Sequence, residues 1–176
     1  MSRKVVLFIA VSLDGYIATK EESLEWLFNV EGEGDNGYAE FYDTVDTVIM
    51  GRKTYDWIST QMEDEFPYKG KQCYIFTTST EQEEKENITF VNEEISSLLN
   101  RLKQQEGKNI WIAGGGGLLQ SFLDAEQVDE MIITVAPTLI GKGIRLFPEG
   151  DYQLNWRLKG TRTFNQFVEL HYDLST

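Results

Sequence analysis

Val48-Ile49-Met50-Gly51-Arg52-Lys53-Thr54 and, further on, Ile110-Trp111-Ile112-Ala113-Gly114-Gly115-Gly116-Gly117 are the stretches whose reading decides the fold. Each begins as a short run of apolar and β-branched residues, the pattern of a strand buried on both faces. Each then passes without a spacer into glycine and the start of a helix. After Gly51 the helix runs to about Ile58; after the glycines, Leu118, Leu119, Phe122 and Leu123 lie on one helical face. Two strand-to-helix switches of this kind predict an α/β protein with a mostly parallel sheet.

Working outward, the same logic places a strand at Val5–Val11, broken by Asp14-Gly15, with Tyr16-Ile17-Ala18 resuming briefly. Tyr38, Phe41, Tyr42 and Val45 are spaced as a short amphipathic helix. Further strands fall at Gln72–Thr77, Ile88–Val91 and Glu130–Ala136, the last stopped by Pro137; a solvated acidic loop, Thr77–Asn87, follows the first of these. Between them, Asn92 is a suitable N-cap for a helix whose Ile95, Leu98, Leu99 and Leu102 form one stripe, and Gly107 suits its end. Leu154–Thr163 and Phe167–Leu174 around Asn165-Gln166 read as a terminal antiparallel hairpin. The expected architecture is a single three-layer α/β domain over residues 1–176, with helices on both faces of a mixed, mostly parallel central sheet.

Composition limits the partners. The chain has 16 Lys+Arg against 29 Asp+Glu, a formal net charge of −13. Such a surface repels nucleic acid and anionic membranes at long range, so neither is an expected partner. Val5–Val11 is too short to span a bilayer and lacks a small-residue cleavage site after it. With one cysteine, Cys73, and one histidine, His171, an internal disulfide and a Cys/His zinc site are both excluded, and no metal is expected. A cytoplasmic location is the expectation.

The two switches also carry chemistry. Glycines let backbone approach a ligand closely, and a helix N-terminus offers unpaired N–H groups that suit a pyrophosphate. The run is neither the Rossmann fingerprint nor a P-loop: the third Rossmann glycine would fall on Leu119 or Gln120. The alternative is a tight strand-to-helix turn or close helix packing, for which one or two glycines would suffice. Arg52 and Lys53 are odd at a helix start, because the dipole disfavours cations there. They make sense around an anion, with Thr54 adding a hydroxyl; otherwise they are surface charge. Two anion cradles on separate strands suggest two phosphate groups some distance apart, as in NADPH.

These residues, with the opening Val11-Ser12-Leu13-Asp14-Gly15-Tyr16-Ile17-Ala18, resemble the dihydrofolate reductase-like fold. They are closest to the reductase domain of the riboflavin-biosynthesis deaminase-reductase and its stand-alone relatives. The resemblance covers nearly the whole chain in order, and the length leaves no room for a fused deaminase. It implies an NADPH-dependent reductase of a small pyrimidine- or pteridine-type heterocycle, and a homodimer. It places the pyrophosphate at Ala113, Gly114, Gly115, Gly116, Gly117 and Leu118, and adenosine phosphates at Gly51, Arg52, Lys53 and Thr54. Thr77, Thr78 and Ser79 match the stretch flanking the adenine ribose; relatives often carry a basic residue there, so a preference for NADPH rests on Arg52 and Lys53. Asp14–Trp26 resembles the mobile loop over nicotinamide, and Thr134 matches a hydroxyl that positions the substrate ring.

Reduction of a C=N or C=O bond also needs a proton. Asp35 lies fifteen positions before Met50, the spacing of the acid in dihydrofolate reductases, although Asp35 would equally cap a helix. Asp14 matches an aspartate that the riboflavin-type reductases place against substrate, although Asp-Gly is a common turn. Phe41, Tyr42, Trp26 and Phe147 are candidate walls of the substrate pocket, and Lys142 and Arg145 candidate cations. Asp129 and Glu130 read as exposed loop charges, His171 as structural or solvated, and Cys73 as a small core residue. The rival to an enzyme is a non-catalytic NADP(H)-binding sensor or interaction domain of the same fold.

Overall fold

The computed structural model of the chain describes residues 2–61, 66–79 and 85–175. The chain opens with β1 (Val5–Ser12), β2 (Tyr16–Ala18), α1 (Glu25–Phe28) and α2 (Tyr38–Tyr42). The centre holds β3 (Val45–Gly51), α3 (Arg52–Gln61), β4 (Gln72–Phe76), β5 (Ile88–Val91) and α4 (Ile95–Lys103). Next come β6 (Asn109–Gly114), α5 (Gly116–Asp124), β7 (Glu130–Ala136), β8 (Ile144–Arg145), β9 (Trp156–Phe164) and β10 (Phe167–Leu174).

Eight strands form one sheet in the order β5-β4-β3-β6-β1-β7-β10-β9, and β2 pairs with β8 as a separate ribbon. The strands from β5 to β7 in that order are parallel; β10 runs antiparallel to β7, and β9 to β10. Side chains alternate between faces along each strand. Val5, Leu7, Ile49, Ile110 and Ile112 point to one side, where α4 and α5 cover them with Leu98, Leu102 and Phe122. Val6, Val48, Met50, Cys73 and Trp111 point to the other, under Phe41 of α2 and Tyr55 and Ile58 of α3. The alternating strand and helix pattern thus yields the helix-covered, mostly parallel sheet and terminal hairpin that it predicts.

Several local expectations change. Val45 does not extend α2; it is fully buried as the first residue of β3. Thr44 stops the helix, its N–H and hydroxyl both donating to the Phe41 carbonyl at 2.8 and 2.6 Å. Asn92 lies too early to cap α4, which starts after an extended Glu94 and ends at Lys103 without Gly107. Gly107 serves packing instead: a Cβ there would sit 2.7 Å from Asp46 and 3.1 Å from Arg3. β1 is fully buried only at its start and end, while Phe8, Ile9 and Ala10 are half-buried. Residues 80–84 of the expected acidic loop lie outside the described residues.

Glu130 is the clearest correction. It is not an exposed loop charge but the buried first residue of β7. Lys4 Nζ donates to it at 2.7 Å and Lys159 Nζ at 3.3 Å, and His171 Nε2 lies 3.0 Å away. Burial alone would raise its pKa, but the hydrogen bonds from Lys4 and His171 outweigh it and bring the value down to about 2. His171 is a member of this cluster. Cys73 is fully buried, and desolvation pushes its thiol up to about 12.

Candidate functional site

β3 and β6 are neighbours, with Met50 opposite Gly114, so their two strand-to-helix turns emerge side by side at the carboxyl ends of the sheet. They touch. A Cβ on Gly115 would lie 3.7 Å from Thr54 Oγ1 and 4.0 Å from the Gly51 nitrogen, and one on Gly114 would lie 3.9 Å from Thr54 Oγ1. Gly114 and Gly115 adopt φ of +137° and +92°, which side-chain-bearing residues rarely take. The two turns expected on separate strand ends therefore meet, and together they form one seat.

Gly115 is the N-cap of α5, and no side chain caps that helix. Its first N–H groups carry the partial positive charge of a helix start. A cleft of about 780 Å³ extends from this seat, with Gly51, Gly117 and Leu118 at its base and Phe76, Glu93 and Ile95 along its walls. Gly51 and Gly117 face open space, since a Cβ on either meets nothing within 4 Å.

Arg52 follows Gly51 at the start of α3, and its side chain reaches away from the glycines toward β5. Its Nε donates to Asp56 Oδ1 at 2.9 Å, and its guanidinium lies 5.1 Å from the centre of the Phe90 ring. Its Nη1 is buried and has no hydrogen-bond partner among the described residues. A buried guanidinium nitrogen left in that state is costly unless an anion meets it. Lys53 is exposed and Thr54 half-buried. Thr77 is buried and turned into its own loop, its Oγ1 accepting from the Ser79 N–H at 3.1 Å, while Thr78 and Ser79 are exposed. Ala113 and Leu118 are half-buried beside the glycines. An open glycine seat, an uncapped helix start and an unpartnered buried guanidinium nitrogen fit a phosphorylated dinucleotide.

The candidate acids are occupied otherwise. Asp14 accepts from the Ser12 hydroxyl at 2.6 Å and from the Gly141 and Ile140 N–H groups at 2.8 and 3.3 Å. The Ser12 bond, helped by the two backbone bonds, holds its carboxyl below the usual range. Around it Leu13 N–H donates to Thr138, Leu146 N–H donates to Gly15, and β2 pairs with β8. This straps the start of the 14–26 segment to residues 138–146. Asp35 is exposed, and its oxygens accept from the Gly37 and Ala39 N–H groups at 3.1 and 2.8 Å, as a helix cap does. Trp26 Nε1 is buried without a partner among the described residues.

Thr134 is buried in β7, opposite Ala10 of β1 on one side and Glu169 of β10 on the other. Of the candidate walls, Phe41 stacks on Phe8 at 4.2 Å and 8°, while Phe147 is exposed. Lys142 is exposed, and the Arg145 guanidinium lies 5.9 Å from the Tyr16 ring. Two residues escape a sequence reading: buried Glu169, opposite Thr134, and its own partner Arg162 on β9. The available signal was an acid at an inward-facing position of the terminal strand.

The sheet order, its covering helices and the paired glycine turns define a protein of the dihydrofolate reductase-like class. The chain belongs to the RibD C-terminal domain family, whose model matches residues 3–170. It is 52% identical over 172 residues to YwjB of Bacillus subtilis (strain 168), covering 98% of each chain. A crystal structure from Shewanella sp. PV-4, named for riboflavin biosynthesis, superposes with a TM-score of 0.87 at 28% identity and full coverage of both chains. Dihydrofolate reductase from Enterococcus faecalis, solved with NADP(H), shares the fold at a TM-score of 0.70 and 16% identity over the full length of both. No described helix is long and apolar enough to cross a membrane.

Proposed function

We propose that the chain is an NADPH-dependent reductase that transfers a hydride to a small heterocycle of pyrimidine or pteridine type. The observation that carries this reading is the contact between the Gly51–Thr54 turn and Gly114–Gly115; the unpartnered Arg52 Nη1, on the β5 side of that turn, supports it. NADPH, when bound, supplies the hydride. Backbone N–H groups at the start of α5 hold its pyrophosphate, and Arg52, Lys53 and Thr54 its adenosine phosphates. Thr77, Thr78 and Ser79 line the ribose side. Thr134 and Ala10 border the reducible ring, and the strapped 14–26 segment keeps bulk water from the nicotinamide end. Because Asp14 is held ionised by its bonds to Ser12 and the 140–141 backbone, it orders the loop rather than donating the proton. The proton comes from water. A homodimer built through the exposed edge strand β9 accompanies this reading.

Titration of NADPH, followed by its fluorescence, is the direct test; no binding at millimolar cofactor refutes the assignment. The engagement of both Asp14 and Asp35 with backbone N–H groups favours one other reading, a non-catalytic NADP(H)-binding domain. Normal NADPH binding without oxidation across pterins and ribosylaminopyrimidines would select it.

A further inference from the structure

A second cleft, of about 490 Å³, opens on the face of the sheet that carries α2. Phe8, Ile132 and Phe41 give it an apolar, aromatic wall. Glu169 also lines it, although only 4% of that residue is exposed. Residues two apart on a strand and direct cross-strand partners point the same way. Ile132, Thr134 and Glu169 therefore share this face, with Ala10 beyond Thr134.

Arg162 closes on Glu169 as a fork. Its Nε donates to Oε1 at 2.9 Å and its Nη2 to Oε2 at 3.3 Å, while Nη1 donates to Glu40 at 3.0 Å. The partners are unequally placed: the Arg162 side chain is 45% exposed and that of Glu169 only 5%. Gly37 permits the approach, since a Cβ there would lie 3.0 Å from Arg162 Nη2 and 3.6 Å from Glu169 Oε2.

This geometry shows what Glu169 can hold. Two parallel N–H donors on a planar group match the two carboxylate oxygens. The N–C–N edge of an amidinium, of a ring-protonated 2-aminopyrimidine, or of a 2-amino-4-oxopyrimidine with its ring N–H, carries the same pair of donors. A buried carboxylate is costly to leave unpaired, so the position demands such a group at all times. Arg162 is the resident donor, and both it and its other partner, Glu40, have solvent-exposed side chains, at 45% and 72%.

We propose that Glu169 is a ligand-binding carboxylate of the substrate half, taking the N–C–N donor edge of the heterocycle in place of the Arg162 fork. The ring then lies against Phe8 and Phe41, with Thr134 at its side. The assignment rests on the reductase reading and adds to it the recognised edge and the residue that reads it.

Benzamidine serves as the probe and pyrimidine, which lacks the donor edge, as its control, with binding to the full chain followed by ligand-observed NMR. Benzamidine binds the native protein more tightly than pyrimidine does. Glu169→Gln weakens it at least tenfold and leaves NADPH affinity within twofold. Arg162→Lys removes the competing fork but keeps a charge, and strengthens benzamidine at least threefold; a merely structural ion pair would give no such gain. Equal affinity in native and Glu169→Gln protein overturns the proposal, as does absence of benzamidine binding in both native and Arg162→Lys protein. If Glu169→Gln does not fold, Arg162→Lys decides: unchanged benzamidine affinity overturns the proposal. A Glu169-dependent benzamidine signal without any NADPH binding would leave the subsite standing and remove the reductase reading.

Discussion

Gly51 separates a demand of the ligand from a demand of the fold. It ends β3 with an ordinary backbone conformation, and an added Cβ meets nothing within 4 Å. Gly51→Ala therefore introduces neither strain nor a clash. It narrows the unfolded ensemble, which is worth about 0.4–1 kcal/mol in favour of folding where the native conformation is compatible. For a chain of this size that corresponds to a rise in Tm of roughly 1–4 °C. The same methyl projects into the cleft beside Gly117 and Leu118. A phosphate accepting from backbone N–H groups needs close approach, about 2.9 Å between heavy atoms, and the methyl prevents it. NADPH affinity should fall ten- to hundredfold, about 1.4 kcal/mol for each factor of ten.

Gly115 provides the contrast. Its φ of +92° and ψ of 113° make Gly115→Ala strained, at about 1–3 kcal/mol, although the methyl itself meets only ordinary contacts at 3.7 Å. This variant should lose both stability and cofactor. Gly160→Ala, in β9 with open space around it, should change neither. Thermal melts and NADPH fluorescence titrations on the four proteins give the answer. If Gly51→Ala binds NADPH as the native chain does, Gly51 does not border the cofactor and the seat has been misplaced.

Other consequences are separately measurable. The Glu130 pKa is depressed from 4.5 to about 2, so its stabilisation is complete above pH 4.5 and is lost as pH falls toward 2. Glu130→Gln should abolish that part of the acid transition, about 2 kcal/mol once screening of the half-exposed Lys4 is allowed for, as read by urea melts at pH 5 and pH 2.5. Asp14→Asn should leave NADPH affinity within twofold but speed amide exchange at Gly141 and Leu146; unchanged exchange would refute the strap. Because the net charge is −13, stopped-flow association of NADPH should accelerate as salt rises from low ionic strength, and a fall would refute electrostatic repulsion as the barrier. Sedimentation should give twice the 20.2 kDa chain mass, and a monomer would exclude the dimer.

The fold was legible because its strands announce themselves. Ile88–Val91 and Glu130–Ala136 are short β-branched runs with clear stops, and the structure keeps both boundaries. The glycine turns were equally plain, since strand, glycine and helix are contiguous in sequence. Their mutual contact was not: it depends on β3 and β6 being neighbours, a pairing that crosses two intervening strands. Asp14 and Asp35 were visible as acids near motifs, but only geometry reveals that backbone N–H groups already fill their oxygens. Glu130 and Glu169 were hidden for the opposite reason. Each is a charge in an alternating strand, which reads as a solvated face until the β7–β10 and β10–β9 pairings bring Lys159, His171 and Arg162 against them.

Charge draws these cases together. In a chain with 16 basic residues against 29 acidic ones, cations are scarce, and many are already committed. Arg3 is buried against Asp46, Lys4 and Lys159 serve Glu130, Arg101 forks onto Glu93, and Arg157 onto Asp173. A committed cation has its charge balanced by the protein's own acid. Arg52 differs: Asp56 takes its Nε, yet its Nη1 is buried with no partner among the described residues. Arg162 differs too, because its donors are satisfied but the half-exposed side chain can leave a carboxylate that cannot move to water. Arg162 lines the second cleft, where it covers an acceptor, while Arg52 holds a donor to fill. Among scarce cations the two arginines are thus set off for opposite reasons: Arg52 keeps a donor that its own acid leaves unmet, and Arg162 is the more exposed member of a pair whose acid is buried.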